Sequence, residues 1–156
     1  MRLLLLGFLV SSLSQASVPP HWEEFSAPGV EKMWKSLDVK EAYVSLMNES
    51  SSYTLSDFDP KLYVSGLPEV RSFIHSLIGI RQYKIEKSES VQTLGNWTVK
   101  IEGSYLKKNQ MKLSFCEIHT FTATGFQQKQ LFYPQLESSK VLGARSCFEA
   151  LSSVVQ

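Results

Sequence analysis

The stretch MKLSFCEIHTFTA, from Met111 to Ala123, decides the fold, because two kinds of side chain alternate along its whole length. The larger set is Met111, Leu113, Phe115, Glu117, His119, Phe121 and Ala123, and the smaller or more polar set is Lys112, Ser114, Cys116, Ile118, Thr120 and Thr122. Successive side chains of a strand point to opposite faces of a sheet. The stretch is therefore predicted to be a long strand with one apolar face, on which Glu117 and His119 are the polar exceptions.

The same period of two continues on both sides of this strand. Apolar and polar side chains alternate from about residue 83 to 91 and from 97 to 105, and a further strand is expected from 126 to 133. Turn-forming segments separate these runs at residues 94–96, 107–110 and 124–125. We expect three or four antiparallel strands joined as a meander and ended by Pro134.

Upstream of residue 81 the apolar spacing is three and four residues, which is typical of amphipathic helices. Two adjoining helices would use Val30, Met33, Trp34 and Leu37, then Ala42, Tyr43, Leu46 and Met47, with Asp38 and Glu41 as a capping box. A third helix is predicted to open at Pro68, with a buried stripe of Val70, Phe73, Ile74, Leu77 and Ile78. Arg71 and His75 point off that stripe, so His75 is expected in solvent.

The last segment, about residues 138–155, is also helical in pattern. Helices that are segregated from an antiparallel meander indicate the α+β class. The predicted architecture is a set of N-terminal helices packed on a curved antiparallel sheet, with a C-terminal helix.

The first residues have the pattern of a secretory signal peptide. Arg2 precedes an apolar run from Leu3 to Val10, and Ser14 and Ala16 favour cleavage after Ala16. The run is far shorter than the roughly 20 residues that cross a bilayer, so no membrane span is expected; a buried N-terminal helix is the alternative. The predicted organisation is a signal peptide at 1–16, an extended lead-in at 17–29, the α+β domain at 30–134 and a C-terminal helical extension at 135–156, in a secreted, extracellular protein.

The composition excludes several classes of function. The chain has 156 residues with 16 basic and 15 acidic side chains, so it lacks the positive excess that nucleic-acid binders use on phosphates. Two cysteines rule out a four-cysteine zinc site, and the histidines at 21, 75 and 119 lack metal-ligand spacing. No nucleic-acid partner, metal or cofactor is therefore expected.

Export makes the two cysteines candidates for a disulfide and two asparagines candidates for N-glycosylation. In an oxidising compartment Cys116 and Cys147 are expected to form a disulfide that joins the last helix to the sheet face opposite Glu117; two buried free thiols are the alternative. Asn48-Glu49-Ser50 and Asn96-Trp97-Thr98 become N-glycosylation sequons, unless they are unused tripeptides.

Four stretches carry a resemblance to a known superfamily. They are residues 34–41, residues 46–49 before Tyr53, Gly66 leading into residues 68–74, and residues 119–125. In this pattern the chain resembles the NTF2-like superfamily, the cone-shaped α+β fold that includes SnoaL-like and ketosteroid-isomerase-like proteins. The resemblance implies a concave sheet face that lines a pocket. It leaves function open, because that fold hosts enzymes, transport factors and binding domains.

Glu117 and His119 are the candidate site residues, because a carboxylate and an imidazole on an apolar face need polar partners. In a cone they would line the pocket with Trp34, Tyr53, Trp97, Tyr105, Phe115 and Phe121. Three hypotheses are open: they bind the polar group of an apolar ligand, they act as catalytic acid and base, or they have no functional role. In the third case either a bulge reverses the alternation, or the two are structural groups paired with Arg81 or Tyr105.

The expected function is that of a secreted, non-enzymatic domain that binds a small apolar ligand or a protein partner through this pocket. The alternative is a small secreted enzyme of SnoaL or ketosteroid-isomerase type that uses Glu117 and His119. A homodimer formed through the sheet is a further candidate assembly.

Overall fold

The computed structural model describes residues 21–156, which build one open antiparallel sheet. Its strands are β1 (Trp22–Phe25), β2 (Lys32–Ser36), β3 (Tyr43–Ser50), β4 (Ile80–Thr93), β5 (Asn96–Lys107), β6 (Lys112–Thr122) and β7 (Gly125–Pro134). Their order across the sheet is β1-β2-β3-β7-β6-β5-β4. The predicted signal peptide at 1–16 lies outside the described residues.

Helices cover both faces of the sheet. Helix α1 (Pro60–Leu77) connects β3 to β4, whereas α2 (Ser138–Leu142) and α3 (Cys147–Val154) follow β7. Two apolar cores result, one under α1 that contains Phe115 and one under α3 that contains Cys116. The α+β class and the C-terminal helical segment are thus confirmed. Within residues 21–156, no helix has the length and apolar character needed to cross a bilayer.

Strand β6 follows the predicted alternation. Its pairing with β5 runs from Phe121 opposite Trp97 to Lys112 opposite Leu106 without a register shift, and its pairing with β7 is equally regular. Since β6 contains no bulge, its two faces stay distinct along its length. Glu117 therefore lies on the same face as Phe115 and Phe121, towards α1.

The two helices predicted between residues 30 and 47 are wrong, because these residues form β2, a turn and β3. Trp34 on β2 is paired with Val44 on β3, and both are buried in the core that contains Cys116 and the apolar side of α3. In these two short strands and their turn, apolar residues recur by chance at intervals of three and four residues. Such short apolar runs do not distinguish a helix from a strand. In the turn, the Ser36 hydroxyl accepts hydrogen bonds from the backbone N–H groups of Asp38 and Val39, where a capping box was predicted.

Helix α1 begins at Pro60, two turns before the predicted start at Pro68. The Asp59 carboxylate caps it by accepting from the backbone N–H groups of Lys61 at 2.9 Å and Leu62 at 3.2 Å. Pro60 lies in the first turn, where the missing N–H has no intrahelical partner to lose. Pro68 lies inside the helix and removes a single backbone hydrogen bond.

The C-terminal segment forms two helices where one was predicted. Gly143, with a φ of 61°, ends α2. Ser146 then caps α3 in a capping box with Glu149. The apolar side of α3, which includes Ala150, Leu151 and Val154, is buried against the sheet.

Candidate functional site

A buried polar network lies between α1 and the sheet. Glu117 and His119 have no exposed surface. Arg71 of α1 donates from Nη1 and Nη2 to the two carboxylate oxygens of Glu117, each at 2.8 Å. Gln130 on β7 donates to Oε1 of Glu117 at 2.7 Å, and His119 Nε2 lies 2.6 Å from Oε2. Each carboxylate oxygen therefore has two hydrogen-bonding partners, which fills its acceptor capacity.

Two tyrosine hydroxyls extend this network. The Tyr63 hydroxyl lies 2.7 Å from His119 Nδ1, and Arg71 Nη1 donates to the Tyr83 hydroxyl at 2.8 Å. With Glu117 ionised, His119 Nε2 donates to the carboxylate, and in the tautomer that carries its proton on Nε2 the Nδ1 atom accepts a hydrogen bond from the Tyr63 hydroxyl. The members are Tyr63 and Arg71 on α1, Tyr83 on β4, Glu117 and His119 on β6, and Gln130 on β7.

Burial and neighbouring charges set the ionisation of this network. Burial raises the pKa of Glu117, but the hydrogen bond from His119 and the adjacent Arg71 guanidinium outweigh burial and lower this pKa to about 2. Burial also raises the pKa of Tyr83 to about 12 and that of Tyr63 well above its usual range. At neutral pH the site therefore holds an ionised carboxylate and two neutral phenols.

The spacing of α1 explains how its polar side chains reach the sheet. Tyr63, Leu67, Arg71 and His75 recur every four residues and share one helix face. Leu67 is buried, and the His75 ring lies 4.6 Å from the Tyr83 ring. The prediction that this side of the helix faces solvent is therefore wrong.

The apolar stripe of α1 faces outward instead. Its members are Leu62, Val70, Phe73, Ile74, Leu77 and Ile78, and each is between 58% and 74% exposed. An amphipathic helix normally turns such a stripe to the core, and the sequence predicted the same. Contiguous exposed apolar surface on a soluble protein marks an interaction site, so the outer stripe of α1 is a candidate binding surface.

The predicted pocket residues lie on both faces of the sheet. Trp34 is buried in the core that contains Cys116 and α3, on the sheet face opposite Glu117. The residues Trp97, Tyr105, Phe115 and Phe121 lie beneath α1. There the Phe121 ring lies 4.7 Å from Phe58, 4.9 Å from Phe126 and 5.8 Å from Tyr53. These side chains form a packed core, and their contact with a ligand stays a prediction.

Sequence reasoning missed the partners of Glu117. It offered Arg81 or Tyr105, whereas the partners are Arg71 and Gln130 together with His119. Gln130 could have been found, because the turn between β6 and β7 fixes the register that sets it opposite Glu117. The sequence feature that could have indicated Arg71 is its position on the face of α1 whose residues are spaced four apart, the second face beside the apolar stripe.

An open groove of about 610 Å³ lies at one end of the sheet. It is lined by Asp38, Val39, Lys40, Gln110, Met111, Lys112, Pro134, Gln135, Leu136 and Glu137. Val39 is buried there, whereas Leu136 is 98% exposed. The volume falls in the range of roughly 300–1,000 Å³ that is typical of small-molecule sites. None of the predicted pocket residues lines it.

The predicted disulfide is confirmed. Cys116 on β6 and Cys147 on α3 are bonded, with their Cα atoms 6.1 Å apart, on the sheet face opposite Glu117. Because disulfides persist in oxidising compartments, the bond indicates an extracytoplasmic location. Asn48 and Asn96 are both exposed, and their glycosylation stays a prediction.

Two solved structures share the fold of this sheet and its helices. The chain is similar to the cyanobacterial PsbP protein CyanoP from Synechocystis, with a TM-score of 0.63 and 16% identity over 87% of this chain and 79% of that chain. It is also similar to LpqN, a protein involved in cell envelope biogenesis of Mycobacterium tuberculosis, with a TM-score of 0.57 and 11% identity over 88% and 77%. At these identities the likeness concerns the fold alone. No protein-family model and no curated protein matches the chain.

The resemblance to the NTF2-like superfamily is wrong. Residues 34–41, which carried part of that resemblance, belong to β2 and the following turn and form no helix. This chain has an open seven-stranded sheet, and its fold is similar instead to those of CyanoP and LpqN. The conical pocket was inferred from that superfamily, so it loses the support of the resemblance.

Proposed function

We propose that the protein is a secreted, non-enzymatic interaction domain that docks an apolar helical surface of another polypeptide on the outer stripe of α1. The orientation of α1 carries this proposal, because its polar face is bonded to the sheet and its apolar stripe is exposed. Leu62, Val70, Phe73 and Leu77 are spaced as the anchors of helix-on-helix docking. Burying these side chains in an interface would stabilise the complex by about 25 cal/mol for each Å² of apolar surface that is removed from water.

The contacts of Glu117 and His119 support a structural role over the acid-base alternative. A general acid or base must reach the proton of a bound substrate and have a pKa near the working pH. Glu117 is fully buried, its two oxygens are occupied, and its pKa is lowered to about 2. These properties suit an anchor for Arg71 better than a proton carrier.

The charges on α1 favour a protein partner over a lipid surface. Helices that lie in a membrane interface are rich in lysine and arginine beside their apolar face. The exposed charged residues of α1 are Lys61 and Glu69, whose charges cancel. Arg71 is hydrogen-bonded to Glu117 on the side of the helix that faces the sheet. A neutral, apolar stripe of this kind fits another protein.

Photo-crosslinking tests the proposed surface. With p-benzoylphenylalanine in place of Phe73, illumination of the producing cells is expected to give one discrete polypeptide adduct, because the position lies within the stripe. The second change Leu62→Glu should remove the adduct by placing a charge in the interface. The measurement is the adduct yield on a denaturing gel and its composition by mass spectrometry.

Val91 on β4 is the matched control position, since it is 55% exposed but lies outside α1. Equal adduct yields from positions 73 and 91, or an adduct that survives Leu62→Glu, would contradict the proposal. Flotation of the protein with anionic vesicles, lost on Leu62→Glu, would identify a lipid surface instead and would also overturn it.

The open groove supports a second candidate function, the binding of a small apolar molecule. Its volume and its apolar lining by Val39, Met111, Pro134 and Leu136 are the observations that favour it. Native mass spectrometry of the protein from the secreted fraction is expected to show a bound mass that Leu136→Glu removes. Leu94→Glu is the control, because Leu94 is equally exposed outside the groove. A bound mass that both variants retain, or none in the parent protein, argues against this function.

A further inference from the structure

We infer that the polypeptide docked on α1 is a second copy of this chain, packed antiparallel about a two-fold axis; the inference rests on the proposed function. A two-fold interface uses the same patch on both copies, so the patch must complement itself. The outer stripe of α1 meets this condition in shape, in register and in extent.

The shape of the stripe includes a gap and a projecting side chain. Gly66 lies in line with Leu62 and Val70 and interrupts the stripe. A Cβ atom placed at Gly66 would meet nothing within 4 Å, so the space above it is open. One helical position without a side chain lets a second helix approach closely and accepts a large side chain from it. Leu77, which is exposed on the same stripe, is the side chain of suitable size.

An antiparallel register brings these features together in both copies at once. When the two-fold axis passes between residues 71 and 72, Leu77 of each copy lies over Gly66 of the other. The same register sets Phe73 against Val70 and places Leu62 within one turn of Ile78. The register therefore pairs apolar residues and the glycine at positions 66, 70, 73 and 77, and it sets Glu69 level with Ile74 of the other copy at the exposed edge.

The extent of the stripe suits a stable dimer. Helix α1 has 18 residues, a length of about 27 Å, and its exposed apolar side chains run from Leu62 to Ile78. Standard interfaces bury about 800 Å² from each partner; the six apolar side chains, each 58–74% exposed, would form the apolar centre of such an interface and their polar neighbours its rim. This places self-association on α1, whereas the sequence suggested the sheet, whose two faces carry α1 and α3.

Sedimentation velocity across a concentration series tests the dimer. The sample is the protein in the form to which the expressing cells process it. The parent protein is expected to change from monomer to dimer as concentration rises. Gly66→Leu should weaken the dimer at least tenfold by filling the gap, yet leave the melting temperature unchanged or raised, because glycine is a poor helix former. Val91→Glu, an exposed change outside α1, should leave the dimer intact.

Mixed cysteine variants test the register independently of Gly66→Leu. Residues 66 and 77 of the same helix are about 16 Å apart along its axis, beyond disulfide reach. A Gly66→Cys chain mixed with a Leu77→Cys chain should therefore link to each other faster than either chain links to itself. Equal rates, or a parent protein that stays monomeric, would overturn the inference. If monomeric protein still gives a Phe73-dependent adduct with a different polypeptide, the dimer fails and the proposed function stands.

Discussion

Arg71→Met is expected to lower the free energy of unfolding by about 3–5 kcal/mol, because it leaves the buried Glu117 carboxylate without its counter-ion. The methionine keeps most of the apolar stem, so the loss arises from the missing charge and its hydrogen bonds to Glu117 and Tyr83. Urea unfolding at neutral pH measures the change. Lys61→Met is the matched control: it removes the same charge from an exposed position of α1 and should cost less than about 0.5 kcal/mol.

The pH dependence of unfolding separates this cause from lost packing. The pKa of folded Glu117 is about 2, below its ordinary value of 4.5. The unfolded chain therefore binds more protons between these values, and stability is fully present above about pH 4.5 and falls as the pH drops towards 2, by roughly 3 kcal/mol. In Arg71→Met the pKa of Glu117 rises, so this acid-dependent part should shrink, whereas Lys61→Met should keep it. A loss below about 1 kcal/mol, or an unchanged acid dependence, contradicts the assigned role of Arg71.

The network accounts for the unusual orientation of α1. If the helix rotated by half a turn, its apolar stripe would be buried, but Glu117 and His119 would lie under it without Arg71 and Tyr63. An ionised carboxylate in apolar surroundings without partners costs several kcal/mol. The polar pair on β6 therefore selects which face of α1 meets the sheet, and the exposed stripe follows from that selection.

The sequence predicted those features that depend on local pattern. The faces of β6 followed from alternation, which placed Glu117 and His119 together and Cys116 on the opposite side. The Cys116–Cys147 bond followed from the signal-peptide pattern and the expected oxidising compartment. Each of these inferences needs only one strand, one helix or one compartment to be identified correctly.

The errors concern long-range partners that local pattern does not specify. Val44 lies in a strand because β3 pairs with β7, some 80 residues along the chain, and Trp34 lies in a strand because β2 pairs with β3. The spacing of residues in α1 identifies an apolar face and a polar face. Only the hydrogen bond from Arg71 to Glu117 shows which of the two packs on the sheet. Both errors supported the same incorrect cone, because N-terminal helices and a buried α1 stripe were its main features.

Removing the disulfide with Cys116→Ala and Cys147→Ala together is expected to lower the free energy of unfolding by about 3–4 kcal/mol. The bond closes a loop with a sequence separation of 31 residues, and a loop of that length restricts the unfolded chain by about this amount. The α3 side chains Ala150, Leu151 and Val154 remain packed on the sheet, so α3 should still form in the native state. Urea unfolding gives the change in stability, and amide exchange in α3 reports whether the helix stays docked.

A reducing agent provides the internal control for this prediction. It should destabilise the parent protein by the same amount as the double substitution and should leave the double variant unchanged, since no other cysteine is present. If reduction frees α3 while the rest of the sheet keeps its stability, the bond is a local clamp and the chain-entropy account is wrong. Because the bond lies on the sheet face opposite Arg71, the losses from Arg71→Met and from reduction should add. A combined loss well below that sum would show that the two faces of β6 are energetically coupled.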